Sequence, residues 1–258
     1  MSKERLDKLM VARALAPTRE KAQALIMAGL VRVRGAPASK AGSRIPADST
    51  IEVEAKDHPY VGRGGVKLEA ALAEFGLDPA GMTVLDIGAS TGGFSDCLLQ
   101  RGAARVFAVD VGYGQLAWQL RQDPRVTVLE RTNIRRLPSG ALGPAVDLVV
   151  VDVSFISLAT VLAEALRFAR PGGAILALVK PQFEAGREHV RRGGRVTDPA
   201  VHEAVLEKVG AAGRTLGLEF RGTMASPITG KKSGNREFFA LWRTPDPPVA
   251  AAGQDSPP

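Results

Sequence analysis

Apolar and polar positions repeat with two periods along this chain, and the change of period marks its organisation. In "KERLDKLMVARALA" (residues 3–16), Leu6, Leu9, Met10 and Ala14 fall on one face of a predicted helix. "TREKAQALIMAG" (18–29) predicts a second helix, with Thr18 as its N-cap and Gly29 as its stop. "LVRVRG" (30–35) alternates apolar and basic residues as a half-exposed strand, and "STIEVEA" (49–55) supplies another. Beyond residue 80 the runs become continuously apolar: "TVLDI" (83–87), "RVFAVD" (105–110), "RVTVLE" (125–130), "VDLVVVDVSF" with its strand ending at Asp152, and "AILALVK" (174–180) predict buried strands. Helices are predicted between them over 94–101, over 157–173 with "PGG" as the stop, and over 197–217, where Asp198 and Pro199 suit the cap and first turn. "EFRGTMAS" (219–226) and "NREFFALWR" (235–243) predict an antiparallel hairpin around "PITGKKSG".

The fold class that follows is α/β, a Rossmann-like sheet preceded by a small α+β module. With 258 residues, 45% of them hydrophobic, the chain has room for about two domains and a real core. The expected boundaries are a first module over 1–57, a linker over 58–66, an α/β domain over 67–244 and a disordered tail over 245–258, where Pro and Ala dominate. No apolar run reaches the roughly 18–20 residues of a membrane span, and "MSKERLDKLM" lacks the apolar core of a signal peptide, so a cytoplasmic protein is expected. One cysteine, Cys97, cannot form an internal disulfide; His58, His189 and His202 have no ligand spacing. Cys97 reads as a packed helix residue, and no metal is expected.

Charge is unevenly distributed. The formal net charge is +7, and residues 1–67 hold 13 Lys and Arg against 7 Asp and Glu, so nearly all the excess is N-terminal. A basic module joined to a near-neutral one suits a polyanionic partner. Arg5, Lys8, Arg13, Arg19, Lys21, Arg32 and Arg34 can form one surface for phosphates, although solvated helix faces explain the charges equally well. "TREKAQALIMAGLVRVRG" resembles the small RNA-binding domain shared by a small-subunit ribosomal protein, pseudouridine synthases and tyrosyl-tRNA synthetases, with Arg34 where that family usually has Asn. The resemblance implies a grip on structured RNA by shape and backbone.

"TVLDIGASTGGFSDCLLQRGAARVFAVDVG" (83–112) reads as a βαβ opening with a tight turn of small residues. Asp110 ends the second strand 22 residues after Gly88, near the roughly 20 expected between a nucleotide-binding glycine turn and a ribose-binding acid. The order G-A-S-T-G-G fits a dinucleotide GxGxxG poorly, and the preceding "LDIG" favours an S-adenosylmethionine site. The first, fourth and fifth strands of this domain deliver Gly88, Asp152 and Lys180 to one carboxyl edge, where open α/β sheets hold ligands.

Lys67, Asp152, Lys180 and Glu237 occur in an order that resembles the Lys-Asp-Lys-Glu tetrad of RNA ribose 2′-O-methyltransferases of the FtsJ type. "YVGRGGVKLEAAL", "DIGASTGGF", "DVGYGQL", "ERTNIR", "DVSFISL", "VKPQFE" and "GNREFF" are together similar to the TlyA family of rRNA cytidine 2′-O-methyltransferases, often labelled haemolysin A, over residues 3 to about 243. Some members carry Arg-x-Trp-Val where this chain has "HPYV", which puts Tyr60 in the place of the tryptophan. The resemblance implies that Gly88, Ala89, Ser90, Thr91, Gly92, Gly93 and Phe94 wrap the methionine end of S-adenosylmethionine, with Asp110 on the ribose and Val111, Asn133 and Asp152 completing the site. It adds Arg63 to the RNA-binding set and implies ribosomal RNA or ribosomal subunits as partner, with a monomer as the default form.

Methyl transfer to a ribose hydroxyl needs the oxygen in line with the sulfonium methyl and a route for its proton. Lys180 is the candidate to position the hydroxyl and take the proton, with Lys67, Asp152 and Glu237 orienting it. An unperturbed lysine is almost wholly protonated at neutral pH, and the balance between burial beside a second ammonium and two nearby carboxylates is not set by sequence. Singly, Asp152 reads equally well as a helix cap and Glu237 as a solvated strand residue. The basic loops "GREHVRRGGRV" and "GKKSGNR" are candidates to close over RNA, or are simply solvated. A non-catalytic RNA-binding assembly factor explains the charge but not the intact tetrad. A membrane-lysing protein calls for a transmembrane or strongly amphipathic segment that the sequence lacks.

Overall fold

The computed structural model describes residues 2–27, 29–38, 40–53, 58–230 and 234–246, and the chain divides between Pro59 and Tyr60 into two compact units. Residues 247–258 of the expected disordered tail, and residues 231–233 of the second basic loop, lie outside the described residues.

In the first unit, α1 (Leu6–Ala12) and α2 (Arg19–Met27) bury Leu6, Leu9, Met10, Ala22 and Ile26 in one cluster with Val31 and Ile51. Ala14 is not on that face. Helix α1 stops at Ala12, Ala14 is exposed in a left-handed conformation with φ 55°, and Ala16 takes a buried place instead. A left-handed residue breaks the helical period, so the i, i+4 pattern could not be carried through it. The Thr18 hydroxyl oxygen accepts the Lys21 amide at 3.2 Å. The sequence pattern indicated two strands here; the described residues hold five short ones, β1 (Lys3–Arg5), β2 (Val31–Val33), β3 (Ala36–Pro37), β4 (Arg44–Pro46) and β5 (Ile51–Val53), with β1 pairing β4 and β2 lying between β3 and β5. Strands of two or three residues are too short to display a period.

The second unit is built on strands β6 (Thr83–Ile87), β7 (Arg105–Val109), β8 (Val126–Leu129), β9 (Val146–Val151), β10 (Ala169–Val179), β11 (Glu219–Ala225) and β12 (Phe238–Arg243), ordered β11-β12-β10-β9-β6-β7-β8. Only β12 runs against its neighbours. Strand β6 has β7 on one side and β9 on the other, so the direction of winding reverses beside it, and that reversal opens the crevice where such sheets bind ligands.

Alternate residues of each strand enter two cores. Val84, Val106, Leu148 and Leu176 pack with Leu68 and Leu72 of α3 (Gly64–Glu74) and with Phe94 and Leu98 of α4 (Gly93–Gln100). On the other face, Leu85, Phe107, Val149 and Ile175 meet α6 (Leu158–Leu166) and α8 (Pro199–Thr215), while α5 (Trp118–Arg121) and α7 (Pro181–Glu184) are single turns. Both faces are covered, which is why these strands read as unbroken apolar runs. The predicted helix over 157–173 is shorter than expected: α6 ends at Leu166, and Ala169 already pairs with Val146 as the start of β10. Pro171 offers no amide hydrogen and drives the residue before it out of helical geometry, so the chain extends at once. Asp198 caps α8 as expected, accepting the Ala200 amide at 3.0 Å.

Candidate active site

Backbone register brings the polar residues to one edge. The last parallel pair of β6 and β9 is Ile87 with Val151, so Gly88 and Asp152 follow side by side, and the Asp152 amide donates to the Ile87 carbonyl at 2.9 Å. The last antiparallel pair of β10 and β12 is Val179 with Phe238, which sets Lys180 beside Glu237. Helix α3 carries Lys67 to the same group: its ammonium meets Glu237 Oε2 at 2.5 Å, with both side chains nearly buried. Lys180 Nζ lies 2.6 Å from Asp152 Oδ1 and donates an aligned hydrogen bond to the Ser154 hydroxyl at 3.0 Å. The Asp152 contact is a close ion pair without hydrogen-bond alignment, which leaves Oδ1 with an acceptor position to offer. Two amines and two carboxylates thus stand as two ion pairs.

The turn after β6 forms the wall of a cleft with about 370 Å³ of empty space, lined by Gly64, Gly88, Ala89, Ser90, Thr91, Gly93, Phe94 and Asp152. Its glycines are required first by protein packing on protein. A Cβ on Gly88, whose φ is 89°, would lie 2.3 Å from the Asp152 carbonyl oxygen, and one on Gly93 would lie 3.1–3.2 Å from the backbone of Gly62, Gly64 and Gly65. The two glycine motifs therefore interlock, setting the start of α3 against the start of α4. At the end of β7, Asp110 accepts the Ser90 amide at 2.7 Å and the Gly112 amide at 2.6 Å, one on each oxygen, and each oxygen keeps a lone pair for a ribose hydroxyl. Beneath the turn, Asp86 is wholly buried, accepts the Ser95 hydroxyl at 2.6 Å and has no hydrogen-bond partner for Oδ1 among the described residues. Burial above all, together with the charges of Asp152 and Asp110, pushes its carboxyl up to about 7. Asp152 lines the cleft and Asp110 accepts from the turn, so these two carboxylates can receive a cationic, ribose-bearing ligand, while the buried Asp86 supports the turn from beneath.

Spacing gave no signal for several residues here. Ser154, Asp86 and Glu184 are among them; Glu184 is buried and joins two loops of this edge. Phe155, next to Ser154, is 88% exposed with φ 66°, and its ring lies 4.7 Å from that of Phe183. Asn133 accepts the Arg135 amide at 3.0 Å and caps a 3₁₀ turn over Ile134–Arg136, while Val111 is 72% exposed beside Asp110.

Residues 60–244 match the FtsJ-like methyltransferase family and residues 4–51 match the S4 domain. The 16S/23S rRNA (cytidine-2′-O)-methyltransferase TlyA of Mycobacterium tuberculosis is 48% identical over 93% of this chain and 90% of its own length. The chain belongs to the TlyA family of FtsJ-like methyltransferases. A Bacillus subtilis protein named as an rRNA methyltransferase is 49% identical over 92% of this chain and 84% of its own. A solved structure from Streptococcus thermophilus, described as a hemolysin, has a TM-score of 0.72 at 43% identity and covers 97% of this chain and 93% of that one. The expected α/β methyltransferase fold with an N-terminal RNA-binding domain is therefore correct.

In this TlyA-family chain the basic residues of the S4 domain are not equivalent. Asp7 is fully buried and accepts from Arg5 at 3.0 and 2.8 Å, from Arg19 at 3.1 Å, from Gln23 at 3.0 Å and from the Lys8 amide at 2.9 Å, and these donors hold its carboxyl well below the usual carboxylate range. The Arg13 guanidinium folds back onto its own domain, donating to the Ser49 carbonyl at 2.6 Å and to the Ala47 carbonyl. Lys8 and Lys21 are exposed, Arg32 reaches the Gly35 carbonyl at 3.1 Å, and Arg34 lies 3.7 Å from Asp48. Arg63, at the start of α3, reaches the Thr229 carbonyl at 3.4 Å. Tyr60 is buried in the methyltransferase core, where a Cβ on Gly65 would strike its ring at 2.2 Å. Cys97 is buried in α4, and burial pushes its thiol up to about 12. Among the described residues no helix is long and apolar enough to cross a membrane.

Proposed function

We propose that this protein transfers a methyl group from S-adenosylmethionine to the ribose 2′-hydroxyl of cytidine in ribosomal RNA. The observation that carries this is the pair of ion pairs, Lys67 with Glu237 and Lys180 with Asp152, at the carboxyl edge of the sheet beside the glycine turn. Residues 88–94, Asp110, Val111, Asn133 and Asp152 hold the cofactor, which supplies an electrophilic methyl on a cationic sulfur. Lys180, fixed by Asp152 and Ser154, meets the 2′-oxygen and aligns it for in-line attack. As the new O–C bond forms and the S–C bond breaks, the hydroxyl proton leaves to the Lys180 amine in those molecules whose lysine has first given up its own. The buried Lys67–Glu237 pair orients the ribose from the other side without carrying the proton. The S4 domain, through Arg5, Lys8, Arg19, Lys21, Arg32 and Arg34, together with Arg63, binds the rRNA backbone. The proposed form is a cytoplasmic monomer acting on rRNA or ribosomal subunits.

The test is methyl transfer from labelled S-adenosylmethionine to ribosomal subunits and to purified rRNA, with ribose methylation mapped by nucleotide. Labelled 2′-O-methylcytidine is expected with wild-type protein and none with Lys180→Ala. Label in a base, or full activity of a folded Lys180→Ala, would overturn the proposal.

A further inference from the structure

Glu184 is a buried carboxylate that the chemistry above does not use. It ends α7, is 4% exposed, and spends both oxygens on the neighbouring loop: Oε1 accepts the Leu158 amide at 2.7 Å and Oε2 accepts the Ser157 hydroxyl at 3.2 Å. A buried charge is costly unless fully paired, so such a residue needs a reason. Capping α6 is not a sufficient one, because Ser157 already caps that helix through the Ala159 amide at 3.3 Å. What Glu184 adds is a clasp between two loops. One, residues 152–157, follows β9 and carries Asp152 and Ser154; the other, residues 180–184, follows β10 and carries Lys180. On the far side of Glu184, the Lys208 ammonium of α8 donates to its backbone carbonyl at 2.8 Å and pins the second loop to the body of the sheet.

The first loop needs holding. Phe155 is a non-glycine residue at φ 66°, a conformation that is stored only when the surroundings enforce it, and its ring is almost wholly in solvent. The clasp grips the chain two and three residues beyond Phe155, and the Lys180–Ser154 hydrogen bond lies one residue before it. Relaxation of residue 155 would swing Ser154 away from Lys180.

We propose that Glu184 is a positioning residue for methyl transfer: by clasping the two loops it holds Phe155 in its left-handed conformation and so keeps Ser154 on Lys180, while Asp152 is held separately by its backbone bond to Ile87. This rests on Lys180 and Asp152 being the reacting pair. Glu184→Gln retains an acceptor for the Leu158 amide and a donor for the Ser157 oxygen, whereas Glu184→Met fills the same space with no acceptor. Glu184→Met is expected to lower kcat by on the order of 10–100-fold, the size of effect that follows a displacement of about an ångström at a reacting group, with the Kd for S-adenosylmethionine unchanged. Glu184→Gln is expected to restore kcat to near wild type. Combined with Ser154→Ala, Glu184→Met is expected to add little, since both act through Lys180. Wild-type kcat in folded Glu184→Met, or full additivity with Ser154→Ala, would overturn the proposal. If the Met variant does not fold, Glu184→Asp, which is too short to reach both partners, is read the same way; if neither folds, Glu184 is structural and the proposal is wrong. Lys180→Ala is assayed alongside: full activity there removes the underlying site assignment, while an inactive Lys180→Ala with an unaffected Glu184→Met rejects the clasp alone.

Discussion

Lys180 and Glu237 continue the antiparallel register of β10 and β12 one residue past the Val179–Phe238 pair, yet each is neutralised by a different partner, Asp152 for the first and Lys67 for the second. Charges of opposite sign that stand side by side are thus held apart by a third and a fourth, so neither lysine is free to collapse onto the wrong carboxylate. A ribose entering this edge meets donors and acceptors already in place.

The Lys67–Glu237 pair separates stability from chemistry. Removing one partner leaves a charge buried, so Glu237→Gln is expected to cost about 3 kcal/mol or more in urea unfolding. The double substitution Lys67→Met with Glu237→Leu is expected to recover most of that stability and no methyl transfer. Activity in the double variant would remove the pair from the site.

Asp86 gives a pH dependence with a definite sign. Its carboxyl titrates near 7 in the folded protein and near 4 when unfolded, so between these values the folded state binds more protons. Stability from this group is full below about pH 4 and declines as pH rises to 7. Asp86→Asn is therefore expected to match wild type at pH 4 and to exceed it at pH 8 by up to about 4 kcal/mol, at about 1.4 kcal/mol per unit. Equal urea midpoints at pH 8 would contradict this.

Gly65 marks the close approach of α3 to Tyr60. Gly65→Ala places a methyl 2.2 Å from the ring and is expected to destabilise the methyltransferase domain by about 1–3 kcal/mol. Because Lys67 lies one half-turn further along α3, activity is expected to fall as well. Tyr60→Leu in the same chain should return part of both.

The basic residues of the S4 domain divide into two kinds. Arg13→Gln removes hydrogen bonds to Ser49 and Ala47 and is expected to lower the melting temperature with little change in the salt dependence of RNA binding. Lys8→Gln and Lys21→Gln are expected to leave melting unchanged and to reduce the slope of log K against log salt by about one each. The reverse outcome would exchange their roles.

Arg34 occupies a left-handed position, φ 51°, in the tight turn between β2 and β3. Such turns favour asparagine and glycine, and its exposed pair with Asp48 at 3.7 Å contributes little. Arg34→Asn is expected to raise stability by about 1 kcal/mol while weakening RNA binding, which thermal unfolding and a binding titration read separately.

The sequence by itself determined the alternation of buried strands and helices, the hairpin of β11 and β12, the carboxyl edge where Gly88, Asp152 and Lys180 meet, and the family motifs, because strand period, glycine turns and strand ends are local properties that a single segment expresses. Only the tertiary structure decided which lysine pairs with which carboxylate, that Arg13 folds inward while Lys8 stays exposed, that helix α6 yields to β10 before Pro171, and that Phe155 is held left-handed with its ring exposed. Those outcomes depend on register and packing between segments far apart in the chain, as Lys67 and Glu237 are, and no local period encodes the distance between two side chains brought together by a sheet.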